Sequence, residues 1–315
     1  MIDEENNILN IINYNLLKCR SFEVIRDSLN ISSSELIEFI SEINKRNNQT
    51  IYIKSTNGIP HIAYSKREYK IHCFAFPHNT LKLMLVSDKH IGHSEDNIKY
   101  ITSAYNEAIK RGVTYVFDLG DILNGPSNRI HNPRKISAGN LDTSLARLKR
   151  YHPTDIPTYF ITGNHDLKFM ENDKCDIGRV IASECKNMFF LNNLFSCLDI
   201  GGLKINLSHG SMENKRLSEI KINKEFRFLK LNAPHIICQG HFHMGGEPIG
   251  GETLLCQVPS LKSVDSSTNK LSNYQAGVLF LTIKEFNKVY EIEVERQEFI
   301  ESKTLVKKEV YIKKS

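Results

Sequence analysis

Five short apolar runs in this chain each end in a residue able to ligate a metal ion, and that recurrence limits the folds open to it. Asp88 and His90 follow Leu83-Met84-Leu85-Val86, and Gly120-Asp121 follows Tyr115-Val116-Phe117. Gly163-Asn164-His165-Asp166 follows Tyr159-Phe160-Ile161, His209-Gly210 follows Ile205-Asn206-Leu207, and Gly240-His241-Phe242-His243 follows Ile236-Ile237-Cys238. Each run has the length and composition of a buried strand. Donors on loops that leave neighbouring strands at the same end are how an open sheet assembles a site. The pattern therefore predicts an α/β chain with a dinuclear metal site at its strand ends.

The residue types narrow the chemistry. Asp88 and His90 are two apart, so in an extended backbone their side chains would leave one face together, and the same holds for His241 and His243. Asp121 follows a glycine, which permits close backbone approach, and its carboxylate can bridge two cations. Asn164 offers a neutral carbonyl oxygen, and His209 adds an imidazole. Mixed aspartate, histidine and asparagine donors suit two divalent ions of manganese, iron, zinc, cobalt or nickel without choosing among them, and manganese is the expectation carried forward. Seven cysteines without a C-x-x-C spacing argue against a thiolate zinc site or a disulfide framework.

The flanking sequence reads differently. Ile8 to Leu17, Phe22 to Leu29 and Leu36 to Ile43 carry helical apolar spacing, with Ser32, Ser33 or Ser34 placed to cap the third helix and Glu35 in its first turn. Residues 50–54 and 61–64 then alternate as two strands around Ser55-Thr56-Asn57-Gly58. Three helices and a hairpin resemble a winged helix-turn-helix module, which would contact nucleic acid or mediate association. From residue 81 strands alternate with helical stretches at 95–111, 141–151, 177–185 and 221–231, while strands at 254–258, 278–283 and 289–294 fit a second sheet packed on the first. The formal charge of +5 is concentrated at Lys303, Lys307, Lys308, Lys313 and Lys314, read as a solvated basic tail. No run approaches a membrane span and the acidic start is unlike a signal peptide, so a cytoplasmic protein without membrane contact is expected.

As an ordered set, D-x-H, G-D, G-N-H-D, H-G and G-H-x-H resembles the calcineurin-like metallophosphoesterase superfamily. That resemblance implies a four-layer α/β/β/α sandwich of two mixed sheets, with a module over 1–70, the catalytic domain over 78–298 and the tail over 299–315. It implies that Asp88, His90, Asp121 and His243 hold one metal, and Asp121, Asn164, His209 and His241 the other. A metal-bridging hydroxide would attack phosphorus while His165 assists the leaving group. Asn124 stands where the serine/threonine phosphatase branch carries the acid that orients this histidine, which favours a phosphodiesterase or nuclease; Asp166 could orient His165 or simply brace its loop. Arg129, His131 and Arg134 are candidate phosphate contacts. The function expected is a nuclease-type phosphodiesterase with nucleic acid as partner. The alternatives are a small-molecule phosphomonoesterase or cyclic-nucleotide phosphodiesterase whose module serves as a lid or homodimer contact, and a non-catalytic scaffold. His61, His72, His78, His93, His152 and His235 read as structural.

Overall fold

A computed structural model describes residues 22–47, 51–56, 59–64, 71–77, 80–94, 96–125, 140–173, 175–210, 234–243, 245–246, 248–263, 276–287, 289–300 and 303–314. The expected helices at 8–17 and 221–231, and the loop bearing Arg129, His131 and Arg134, lie outside these residues. The chain divides into two compact units, Met1–Tyr69 and Lys70–Ser315.

In the first unit, α1 (Phe22–Leu29) and α2 (Ser33–Asn47) precede the antiparallel pair β1 (Ile51–Thr56) and β2 (Ile59–Tyr64). Phe22, Ile25, Leu36 and Ile40 are buried, one apolar stripe on each helix. Ser32 starts α2 with a reciprocal cap: its Oγ accepts the Glu35 N–H at 3.2 Å, and Glu35 accepts the Ser32 N–H at 2.8 Å.

The second unit holds β3 (Ile71–Phe74), β4 (Thr80–Val86), α3 (Ile98–Arg111), β5 (Tyr115–Asp118), α4 (Leu141–Tyr151), β6 (Thr158–Thr162), α5 (Asn164–Asp173) and α6 (Ile177–Glu184). There follow β7 (Met188–Asn193), β8 (Phe195–Ile200), β9 (Leu203–Ser208), β10 (Ile236–Gln239), β11 (Leu254–Gln257), β12 (Ala276–Phe286), β13 (Val289–Ile300) and β14 (Lys303–Lys314). They form a seven-stranded sheet, β14-β13-β12-β4-β5-β6-β7, and a five-stranded sheet, β11-β10-β9-β8-β3. Both are mixed: β4 to β7 run parallel while β12 meets β4 antiparallel, and β9 to β11 run parallel while β8 meets β9 antiparallel.

The continuous apolar run of β4 is two alternating faces. Leu81, Leu83 and Leu85 join Ile205, Leu207 and Ile236 of the other sheet in the core between the sheets. Met84 and Val86 face Ala104, Tyr105 and Ala108 of α3 in the core beneath the helices. A strand buried on both sides needs apolar residues at every position, which hides its period of two. Helix α3 is held at its start by Asn97 accepting the Tyr100 N–H and at its end by Gly112 at φ 66.

Two expectations need correction. The strands after residue 275 do not build the second sheet; β12 pairs with β4 and extends the first, while β3 and β8 to β11 form the second. The segment read as a solvated tail is β14, paired with β13 along its whole length. Its lysines gave the appearance of a tail, but charged residues on a long edge strand also discourage further pairing. Among the described residues no helix is long and apolar enough to cross a membrane.

His152, buried at the end of α4, packs edge-on against Tyr105 with ring centroids 5.4 Å apart. Neither ring nitrogen has a hydrogen-bond partner among the described residues. Burial, with the Lys89 charge adding to it, pushes its pKa down to about 2 from an ordinary 6.5. The unfolded chain therefore takes up a proton below about pH 6.5 that the fold refuses, and stability falls by about 1.4 kcal/mol per pH unit from this group. Above that pH the group contributes no pH dependence. His152→Leu should flatten the decline between about pH 6.5 and about pH 4.5, read as urea unfolding at both ends; parallel profiles for the two proteins would contradict this.

Candidate metal centre

All five donor loops leave the carboxyl ends of their strands, three from the seven-stranded sheet (β4, β5, β6) and two from the five-stranded sheet (β9, β10). Their backbone is not extended, as the spacing had suggested. Asp88, His90, Asp121, His241 and His243 all have positive φ, at 52°, 46°, 52°, 75° and 56°. Each such residue costs roughly 1–3 kcal/mol when it is not glycine, and survives where surrounding contacts fix it. Those contacts are main-chain bonds between loops: the N–H groups of Asp88, His90 and Ile91 donate to the carbonyls of Gly120, Asp121 and Ile122, each at 2.9 Å. The loops also touch where side chains are missing. A Cβ on Gly163 would stand 2.2 Å from Asp121 Oδ1, and one on Gly240 would stand 2.1 Å from Ser87 Oγ.

The donor atoms converge in two groups. In the first, Asp88 Oδ1 lies 3.2 Å from His243 Nε2 and 3.7 Å from His90 Nε2, and the two imidazole nitrogens are 3.0 Å apart. In the second, His209 Nε2 lies 3.2 Å from Asp121 Oδ2, 3.1 Å from Asn164 Oδ1 and 3.3 Å from His241 Nδ1. Asp121 Oδ2 also faces His90 Nε2 at 3.7 Å, so this one oxygen is common to both groups. The Oδ1 atom of Asp121 is occupied, accepting the His165 main-chain N–H at 2.7 Å.

These groups fit divalent ions. Asp88, His90 and His243 form one set with ligand atoms within 4.8 Å of one another, and Asp121, His209 and His241 form another. Asp88 Oδ1 is buried without a hydrogen-bond partner, although Oδ2 of the same carboxylate accepts from Ser87 Oγ and from the His241 N–H. A buried anionic oxygen left over in this way, aimed at two imidazoles, is what a cation would complete. His209 donates Nδ1–H to the Leu119 carbonyl at 2.7 Å, which leaves Nε2 as the atom that would face an ion. Burial opposes charge on His209, yet the Asp121 carboxylate outweighs it and pushes the pKa up to about 10. Burial likewise opposes the Asp88 and Asp121 carboxylates, and the histidines around them hold both well below the usual range. His90 stands farther from the Asp121 carboxylate, at 3.7 Å, and burial pushes its pKa down to about 3.

His165 stands beside these atoms, its ring edge-on to His90 at 4.6 Å. Its Nδ1 lies 2.7 Å from the main-chain carbonyl of Asn124, so the residue that lacks an orienting acid supplies orientation through its backbone. Asp166 does not orient His165. It is fully buried and accepts the N–H groups of Gly163 at 2.8 Å, Leu123 at 2.8 Å and Ile122 at 3.2 Å, bracing the second and third loops together. His152 and His235 lie apart from the cluster, and His235 Nδ1 accepts the Lys204 N–H. Sequence reasoning passed over Ser87 and Ser260, which hydrogen-bond the side chain and carbonyl of Asp88. It also passed over Asp118, the last residue of β5, and Lys89, which lies between two of the candidate ligands.

Two facing mixed sheets that gather aspartate, histidine and asparagine at their carboxyl edges define an α/β protein organised around a candidate metal centre. Residues 81–264 match the calcineurin-like phosphoesterase family, more than half of the chain, and the chain belongs to that family. No curated protein matches it. Among solved structures it is similar to Vacuolar Protein Sorting 29 from Cryptosporidium parvum, at 15% identity over 74% of this chain and 98% of that one, with a TM-score of 0.47. It is similar also to Vps29 complexed with zinc from Entamoeba histolytica, at 14% identity over 73% and 99%, with a TM-score of 0.44. A conserved Streptococcus pneumoniae protein described as a predicted phosphoesterase aligns at 13% identity over 75% and 100%, with a TM-score of 0.39. Likenesses this distant carry no argument about function.

Proposed function

We propose that this chain is a phosphodiesterase that cleaves nucleic acid with two divalent metal ions. The observation that carries the reading is the single oxygen, Asp121 Oδ2, facing both donor groups at once. Asp88, His90, Asp121 and His243 would hold one ion, and Asp121, Asn164, His209 and His241 the other. When bound, such ions supply Lewis acidity toward phosphoryl oxygens and lower the pKa of water.

The remaining steps belong to the protein. The Asp121 carboxylate keeps its position because His165 N–H occupies Oδ1, so its orientation does not depend on what Oδ2 binds. His165 Nδ1–H donates to the Asn124 carbonyl, which leaves Nε2 as the nitrogen that would assist the departing oxygen. Burial lowers the pKa of His165, and the Asp121 carboxylate works against that shift.

A polymeric substrate is favoured by the first unit, in which a capped helix is followed by a two-stranded hairpin in the order of a winged helix-turn-helix module. Its role here would be to hold the strand whose phosphodiester enters the site. The test is a panel of single- and double-stranded oligonucleotides, mononucleotides and cyclic nucleotides, assayed with the full chain and Mn²⁺. Oligonucleotide cleavage is expected. Turnover of the small esters alone would overturn the substrate assignment and favour the small-molecule phosphoesterase reading.

A further inference from the structure

Between Asp88 and His90 the chain places a lysine that does not reach the site. Lys89 is fully buried, and its Nζ lies 2.8 Å from Asp118 Oδ2, also fully buried. Nζ is 3.3 Å from the Tyr105 hydroxyl, which in turn lies 2.9 Å from Thr158 Oγ1. Asp118 Oδ1 accepts the Gly120 N–H at 3.2 Å. One carboxylate at the end of β5 therefore contacts the loop that carries Asp88 and His90 and the turn that carries Asp121.

Stability alone does not account for such a pair. Two buried charges repay their desolvation only partly, and apolar residues of similar size often serve the fold as well or better. What a charged anchor adds is direction. Asp88 and His90 on either side hold positive φ, at 52° and 46°, and the side chain between them is tied to Asp118 and Tyr105, which fixes the course of the loop through both ligands.

We propose that Lys89 and Asp118 are positioning residues that set the spacing of Asp88 and His90 against Asp121, and with it the affinity and geometry of the metal centre. The proposal rests on the reading of those three residues as metal ligands. Neither Lys89 nor Asp118 touches the metal or the ester; each acts through the ligand loops, as outer partners of ligands do elsewhere.

The test uses Co²⁺ binding and its visible absorption spectrum. Lys89→Met alone leaves Asp118 buried and unpaired, so both stability and Co²⁺ binding should fall. The double variant K89M/D118N removes both charges, keeps the side-chain volumes and retains an acceptor for the Gly120 N–H. It should recover most of the thermal stability yet bind Co²⁺ about 10–100-fold more weakly, with an altered spectrum. Wild-type affinity and spectrum in a folded double variant would overturn the proposal and leave the metal-site reading intact. Should the double variant not fold, Tyr105→Phe, which removes only the hydroxyl beside Lys89, must weaken Co²⁺ binding several-fold; unchanged affinity overturns the proposal. A wild-type chain that takes up no Co²⁺ would overturn the metal-site reading and this inference with it.

Discussion

Asp121→Asn should leave a folded protein with little activity. The amide oxygen can still accept the His165 N–H that Oδ1 accepts at 2.7 Å, so the loop contact survives. What is lost is the charge on Oδ2, the atom 3.2 Å from His209 Nε2 and 3.7 Å from His90 Nε2. If that oxygen is shared by two cations, its neutralisation weakens both sites together. Phosphodiester turnover should drop by about 10²–10³-fold, the loss typical when one preorganised electrostatic group is removed. A steady-state assay on a chromogenic diester at saturating Mn²⁺ measures it. Retention of wild-type turnover would show that Asp121 holds no metal on the reaction path.

Gly163→Ala should have the larger effect on folding. The added Cβ would meet the Asp121 nitrogen, which is backbone, at 2.3 Å, and Asp121 Oδ1, held in place by the His165 N–H, at 2.2 Å. The loops would have to separate, breaking the Asp166 clamp that holds the Gly163 N–H at 2.8 Å. A loss of about 3 kcal/mol is expected, roughly 6–12 °C in Tm for a unit of this size. Gly112→Ala provides the contrast. It has φ +66 with nothing within 4 Å of a Cβ, so only backbone strain of about 1–2 kcal/mol applies. Thermal unfolding of the two variants separates steric conflict from strain, and equal losses would contradict the assignment.

The candidate ligands could be picked out of the sequence because the donors they offer are written in their residue types. Asp88, His90, Asp121, Asn164, His209, His241 and His243 each follow a strand-like run, and the order of five such loops carries more information than any one of them. Their backbone was not legible. Positive φ is signalled by glycine, and here aspartate and histidine adopt it because main-chain bonds from a neighbouring loop hold them there. Spacing pointed to side chains that do lie together, through the wrong backbone geometry. The same limit applies to Asp166 and Asn124: which residue orients His165 depends on a carbonyl position that no side-chain identity encodes.

Helix ends were easier than sheet membership. Asn97 and Gly112 bound α3 by local chemistry, and Ser32 with Glu35 starts α2 in the same way. Which sheet β12 joins is decided by pairing with β4, which lies far back along the chain, and β14 was disguised by lysines that suit an edge as well as a tail. Local signals do not carry that kind of information.

The central claim is that two cations sit on the donors around Asp121. Elemental analysis of the full chain after loading with Mn²⁺ and removal of free metal tests it most directly. The account predicts two ions per wild-type chain and fewer than two in Asp121→Asn; a wild-type protein that retains no metal would contradict it.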